Sequence, residues 1–325
     1  MKPITFGTVG TSWITREFIQ SAHSCGLWQL GAVYSRTREN GAKLAERANL
    51  GDNSVYDDWE AFLSSDVEAV YIASPNSLHY RQTMDALSAG KHVICEKPLA
   101  TDTSQVHQAF SLAEKNGLFL LEGLRHIHSP GFYVLQQNLE RIAPLRNAVL
   151  TYHQYSSRYD LLLQGQVTNV FDPAFAGGAL FDLGVYPIAL AAALWGKPES
   201  VQYAPVLLPN GVDGAGAALL SYPGFVCSIS FSKITDGLIS NEILGEKGGL
   251  RLDHPAELKR IMLTPKGEDR IDLSPAEASY LSLYTEAQAL ARIIRTGDEA
   301  AYRRATAVSK ITAGIIAQCR DRDWA

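Results

Sequence analysis

The sequence holds little cysteine. Its four residues, Cys25, Cys95, Cys227 and Cys319, are widely separated in 325 positions, with no Cys-x-x-Cys pair. That spacing excludes a disulfide framework and a paired-cysteine zinc site, and it reads as small buried hydrophobes in a reducing compartment. Long hydrophobic runs are missing too. The longest apolar stretch near the middle, Ile188 to Trp195, is far short of the roughly 18 residues that span a bilayer, and Met1-Lys2-Pro3-Ile4 lacks the apolar core of a signal peptide. A soluble, cytoplasmic protein with no membrane partner is therefore expected. Positive charge is not in excess either: 29 Lys and Arg face 34 Asp and Glu, a formal net charge of −5 with no basic cluster, so no nucleic-acid partner is expected. Charged residues reach only 19% against 46% hydrophobic, which excludes a disordered solvating chain and provides for sizeable cores. At about 100–200 residues per domain, the length suggests two domains.

What is present begins with alternation. Apolar runs at Ile4 to Val9, Leu30 to Tyr34, Val67 to Ala73, His92 to Cys95 and Leu118 to Leu121 read as strands. Between them lie helical stretches: one carrying Trp13, Ile14, Phe18, Ile19 and Ala22 at helical spacing, then Thr37 to Ala48, Ser77 to Ala89 (stopped by Gly90) and Thr103 to Asn116. Strands alternating with helices predict βαβ units in a doubly wound parallel sheet, a Rossmann-type α/β domain over residues 1–122. Such sheets bind ligands at the carboxyl ends of their strands, so the loops at Gly10, Ser35, Ser74 and Glu96 are expected on one edge. After Leu124 the period changes. Ala148 to Tyr155, Ala217 to Tyr222 and Val226 to Phe231 suit a large, mostly antiparallel sheet. Helices are expected after Gly177-Gly178, over about Tyr280 to Thr296, and over Ala300 to Asp321, giving an α+β domain over 123–325 for substrate binding and self-association.

The run Gly7-Thr8-Val9-Gly10-Thr11-Ser12-Trp13-Ile14-Thr15 sits between strand and helix, where backbone N–H groups and the helix dipole would receive a pyrophosphate. Ser12 and Thr15 stand where the full fingerprint has glycines, and a plain strand–turn–helix with a Ser/Thr cap accounts for the same residues. At the end of the second strand, where NAD-binding chains place an acid, this chain has Ser35-Arg36-Thr37-Arg38. A hydroxyl and two guanidinium groups suit a 2′-phosphate, hence NADP with NAD as the lesser possibility. A solvated helix start bearing two surface arginines is the plainer reading of the same run.

Several motifs together resemble the Gfo/Idh/MocA oxidoreductases: Gly7 to Ile14; Ser74-Pro75-Asn76-Ser77-Leu78-His79; Ala89-Gly90-Lys91-His92-Val93 leading to Glu96-Lys97-Pro98; Gly177-Gly178-Ala179-Leu180-Phe181-Asp182-Leu183-Gly184-Val185-Tyr186-Pro187; and Glu242 to Gly248. They run in order along nearly the whole chain. The resemblance implies hydride transfer between a nicotinamide and a hydroxyl-bearing carbon of a sugar, polyol or cyclic diol. It implies a catalytic Lys97, a proton-transferring Tyr186, and Asp182 beside it. It lays Ser74, Pro75, Asn76, His79 and Glu96 along the cofactor, and it implies a homo-oligomer, dimer or tetramer. The chemistry is consistent: a tyrosine of ordinary pKa near 10 needs a nearby cation to act as a base at neutral pH. Four residues apart, Asp182 and Tyr186 share a helix face, and Pro187 is expected to kink or end that stretch. A buried tyrosine satisfied by Asp182 is the structural alternative. His126 and His128 would point the same way on a strand, but with no third ligand they make no metal site by spacing, and no metal is expected. Arg125, His153, Arg158 and Tyr159 are pocket or surface residues. A non-catalytic NAD(P)-binding regulator on the same fold is the rival; retention of Lys97 and Tyr186 favours an enzyme.

Overall fold

A computed structural model describes residues 2–276 and 282–321. These divide into two compact units, 2–123 with 282–309 and 124–276 with 310–321.

The first unit is a six-stranded parallel sheet. Its strands are β1 (Ile4–Val9), β2 (Trp28–Tyr34), β3 (Val55–Tyr56), β4 (Ala69–Ile72), β5 (His92–Glu96) and β6 (Leu120–Gly123), in the order β3-β2-β1-β4-β5-β6. This is the doubly wound dinucleotide-binding order, with its switch point between β1 and β4. Four of the loops at the carboxyl ends open at Gly10, Ser35, Ala73 and Lys97. The helices Trp13–Ser24, Arg38–Arg47, Asn76–Ser88 and Thr103–Lys115 fall within a residue or two of their expected limits. The two-residue strand β3 and the short helix Trp59–Leu63 are too brief to show a period.

The helix Tyr284–Thr296 also belongs to this unit, although the change of period after Leu124 suggested one domain from there onward. Its apolar face (Ala287, Leu290, Ala291, Ile294) enters the core of Phe6, Phe18 and Trp28. Trp28 Nε1 donates to the Ala287 carbonyl at 2.8 Å, and Arg295 pairs with Glu68 at 2.8 Å. The first continuous part of this unit ends with β6 at Gly123, and 282–309 return to it. Positions 280–281, the expected start of that helix, lie outside the described residues.

The second unit is an eight-stranded sheet. Its strands are β7 (Leu145–His153), β8 (Ser200–Leu207), β9 (Asp213–Tyr222), β10 (Phe225–Ser232), β11 (Asn241–Gly245), β12 (Gly248–Leu252), β13 (Ile261–Pro265) and β14 (Ile271–Asp272), in the order β14-β13-β12-β11-β7-β10-β9-β8. All pairs are antiparallel except β7 with β10. The helices Pro130–Ile142 and Val185–Trp195 pack against β12–β13 and β7–β10 respectively. The continuous stretch Pro173–Trp195 is long and apolar enough by composition to cross a membrane, yet 72% of its most apolar window is buried inside the protein. Its helical part, the π-turn Leu180–Gly184 followed by the helix Val185–Trp195, lies in the core of this unit, and polar interruptions hid the length of the stretch from a count of uninterrupted apolar residues.

Candidate active site

In the first unit, β1 leads into Gly10, whose φ of +101° favours glycine, and a Cβ there would sit 2.6 Å from the Ala73 carbonyl oxygen. The backbone is thereby kept bare where β1 and β4 diverge. Ser12 precedes the helix Trp13–Ser24 without capping it, no acid lies in its first turn, and Arg16 Nη1 donates to the Thr11 carbonyl at 3.3 Å. Trp13 is exposed and Ile14 half-buried. Thr15, at the other position where the full fingerprint has a glycine, is fully buried, its hydroxyl 3.4 Å from that of Ser12. An uncapped helix start beside a glycine cradle and an added guanidinium fits the pyrophosphate of a dinucleotide.

At the end of β2, Ser35 is buried and its N–H donates to Tyr56 O. Arg36 is exposed and has no partner among the described residues. Arg38 is already engaged, donating to the carbonyls of Val55 (3.1 Å) and Asp52 (3.3 Å). Its guanidinium braces the turn into β3, a contact that Arg36 does not share.

At the ends of β4 and β5, Ser74 Oγ donates to Gln82 Oε1 at 2.6 Å, Pro75 is half-buried, and Asn76 opens the next helix. His79 points inward, 1% exposed. Its Nδ1 and Nε2 lie 2.8 Å from the carbonyls of Pro98 and Ser74, so its ring ties the two loops together. Burial lowers its pKa, against the opposing effect of the Pro98 and Ser74 carbonyls. Glu96 is buried and accepts the Tyr71 hydroxyl at 2.6 Å. Lys97, half-buried, precedes Pro98 through a cis peptide bond. Behind it, buried Glu122 accepts the Leu99 N–H at 2.8 Å, and burial raises its carboxyl pKa.

In the second unit, the Asp213 carboxylate accepts the Leu180 N–H at 2.6 Å, holding the start of the helical stretch that follows Gly177-Gly178. A Cβ on Gly178 (φ +128°) would collide with that carboxylate. Burial pushes Asp213 up to about 6. Residues Leu180–Gly184 form a π-helical turn, and the α-helix then continues from Val185 through Pro187 to Trp195. Proline does not end this helix: the widened turn before it accommodates the missing N–H.

Asp182 lies in that turn and is ion-paired to Lys233. Tyr186 is half-buried in an aromatic and cationic setting. His126 and Tyr152 have ring centroids 5.5 and 5.6 Å from its own, and the Arg125 guanidinium lies 5.8 Å from its centroid. Arg125 pairs with Glu257 at 3.6 Å, and Tyr152 stacks edge-on against His254 at 4.3 Å. Residues Arg125–His128 form a 3₁₀ turn and not a strand, so the two histidines lose the shared direction a strand would impose. His126 is buried and, among the described residues, neither ring nitrogen has a hydrogen-bond partner; burial, then Arg125, pulls it down to about 3. His153 alternates to the opposite sheet face, where it meets Ser230, while Tyr159 packs on Phe171 and Arg158 is exposed. Sequence reasoning missed Tyr152, Asp213, His254 and Lys233. A lysine ending a strand carries no local sign of burial.

A doubly wound sheet with a glycine-opened loop at its switch point, joined to a second α+β unit, defines a dinucleotide-binding oxidoreductase. Residues 4–124 match the oxidoreductase family with an NAD-binding Rossmann fold, and residues 141–251 match the GFO/IDH/MocA C-terminal domain. The chain belongs to the Gfo/Idh/MocA family of NAD(P)-dependent oxidoreductases. It is 38% identical to the uncharacterized oxidoreductase YgjR of Escherichia coli, covering 98% of this chain and 95% of that one. It is 40% identical to the scyllo-inositol 2-dehydrogenase (NADP(+)) IolU of Bacillus subtilis, over 77% and 76% of the two chains. A 3-ketoreductase from Actinomadura kijaniata, solved with NADP and TDP-benzene, has the same fold with a TM-score of 0.84 at 24% identity, covering 98% of this chain and 97% of that one.

Proposed function

We propose that the protein is an NADP-dependent oxidoreductase acting on a hydroxyl-bearing carbon of a sugar, polyol or cyclic diol. The observation that carries this reading is the 40% identity to a scyllo-inositol 2-dehydrogenase (NADP(+)) over three quarters of the chain. Relatives at 29% identity include trans-1,2-dihydrobenzene-1,2-diol dehydrogenases and a D-xylose 1-dehydrogenase (NADP(+)). Arg36, exposed and without a partner among the described residues, stands beside Ser35 with no acid at the end of β2, which supports NADP over NAD.

A bound nicotinamide dinucleotide would supply the hydride acceptor or donor. Gly10, Thr11, Ser12, Trp13 and Ile14 would hold its pyrophosphate, Ser35 and Arg36 its 2′-phosphate, and Ser74, Pro75 and Asn76 the adjoining sugar. His79 and Glu96 shape the loops beneath. Tyr186 exchanges the hydroxyl proton, Lys97 supplies positive charge to the reacting oxygen, and Asp182 orients a substrate hydroxyl. Arg125 over the Tyr186 ring adds a second cation.

Self-association is part of the same proposal. One face of the eight-stranded sheet carries Ala204, Val206, Ala217 and Leu244, all exposed, a small-residue apolar surface suited to a second copy. Light scattering showing a monomer at micromolar concentration would count against it. The four free cysteines fit a reducing, cytoplasmic location.

The test is initial rates of NADP⁺ and NAD⁺ reduction against aldoses, inositols, polyols and trans-dihydrodiols. Turnover of one class with preference for NADP⁺ is expected, and Tyr186→Phe and Lys97→Ala should each lower it by about 10²–10⁴-fold while NADPH still binds. Near-normal rates in either variant would sink the assignment of roles. Silence of the wild type across the panel, with NADPH bound, would favour the regulator.

A further inference from the structure

We propose that Lys233 is the positioning residue of this site, holding the Asp182 carboxylate in the orientation from which it meets a substrate hydroxyl. The inference rests on the reading of Asp182 given above.

The two ends of this ion pair differ in exposure. The Lys233 side chain is 3% exposed and that of Asp182 39%. Lys233 follows β10, with its N–H donating to Gly214 O (2.8 Å) and its carbonyl accepting from Ser156 N (2.9 Å). Its ammonium donates to Val170 O at 3.4 Å and lies 5.0 Å from the Phe171 ring centroid. Around it Phe171, Leu208 and Val212 form a small buried cluster, with Val170 and Ile234 packed against it. The cation is therefore fixed, and the half-exposed acid is the partner whose direction it sets.

Stability alone does not account for a lysine here. An apolar residue of similar volume fills such a pocket as well or better, because desolvating an ammonium offsets what its pairing contributes. The acid, moreover, sits in a π-helical turn, a geometry frequent at functional positions.

The asymmetry makes the proposal testable. In Lys233→Met the carboxylate is left half-exposed and hydrates, so the fold persists. Asp182→Asn removes the countercharge of a buried ammonium and costs more stability. With scyllo-inositol, or the panel member that the wild type oxidises fastest, Lys233→Met should lower kcat by about 30-fold or more, with KM changed less than about three-fold. NADPH affinity, read by fluorescence titration, should stay within about two-fold of wild type. Lys233→Arg should restore most of kcat, and the double variant should be no slower than Asp182→Asn, because both act through one carboxylate. Wild-type kcat in Lys233→Met, or losses that multiply in the double variant, overturn the proposal. If the wild type oxidises nothing in the panel, the reading of function has failed. The ion pair is then judged separately by the wild type, Lys233→Met, Asp182→Asn and the double variant in urea, where additive midpoint shifts overturn it and non-additive ones support it.

Discussion

Replacing Arg36 by alanine should change which nicotinamide dinucleotide the protein prefers without changing its fold. Arg36 is exposed and partnerless among the described residues, so no internal contact is lost. A charge-assisted hydrogen bond contributes about 1.5–3 kcal/mol, and an exposed arginine falls at the low end, roughly 1–2 kcal/mol. At about 1.4 kcal/mol per tenfold change, Kd for NADPH should rise about 5–30-fold and that for NADH by less than about two-fold. Intrinsic fluorescence titration with each dinucleotide is the assay. Repeating it in about 1 M salt should shrink the difference between wild type and variant, because the Debye length falls to about 3 Å. Arg38→Ala is the control. Its guanidinium holds the carbonyls of Val55 and Asp52, so its loss should lower Tm more than selectivity. Equal losses of NADPH and NADH affinity in Arg36→Ala would remove the 2′-phosphate argument altogether.

Three further outcomes follow from the geometry. Gly10→Ala forces a Cβ against the Ala73 carbonyl at φ +101°; it should cost about 2 kcal/mol or more in urea unfolding and weaken both dinucleotides, and unchanged binding would refute the cradle. Arg295, first among the causes, holds the Glu68 carboxyl down at about 2, so that stabilisation is complete above the ordinary glutamate pKa and is lost as pH falls through 4 towards 2. Glu68 is 37% exposed, so the contribution is discounted to about 1–2 kcal/mol, and Arg295→Ala should lower Tm at pH 7 more than at pH 3. Asp213 has the opposite sign: burial pushes it up to about 6, so its ionisation costs the fold up to about 3 kcal/mol, growing as pH rises from about 4 to 6. Asp213→Asn, which keeps an acceptor for the Leu180 N–H, should therefore gain stability relative to wild type at pH 8 over pH 4; parallel pH curves would refute this.

Local periodicity and short motifs determined much of this protein by themselves. The alternation of apolar runs with helical stretches encodes the doubly wound sheet, because period and turn chemistry are properties of neighbouring residues. Gly10, the Ser35-Arg36-Thr37-Arg38 run, Glu96-Lys97-Pro98 and the Gly177 to Pro187 segment stand where strands end and helices open, and each was legible for that reason. Tertiary structure decided the rest. The return of Tyr284–Thr296 to the first unit depends on an apolar face that would suit either core. The inward turn of His79 depends on two loop carbonyls brought together by β4 and β5. The helix running through Pro187 depends on a widened turn. The pairing of Asp182 with Lys233, 51 residues apart, arises because β10 ends where the π-turn begins to pack. Such pairs are set by sheet register and packing between distant segments, which no window of neighbouring residues contains.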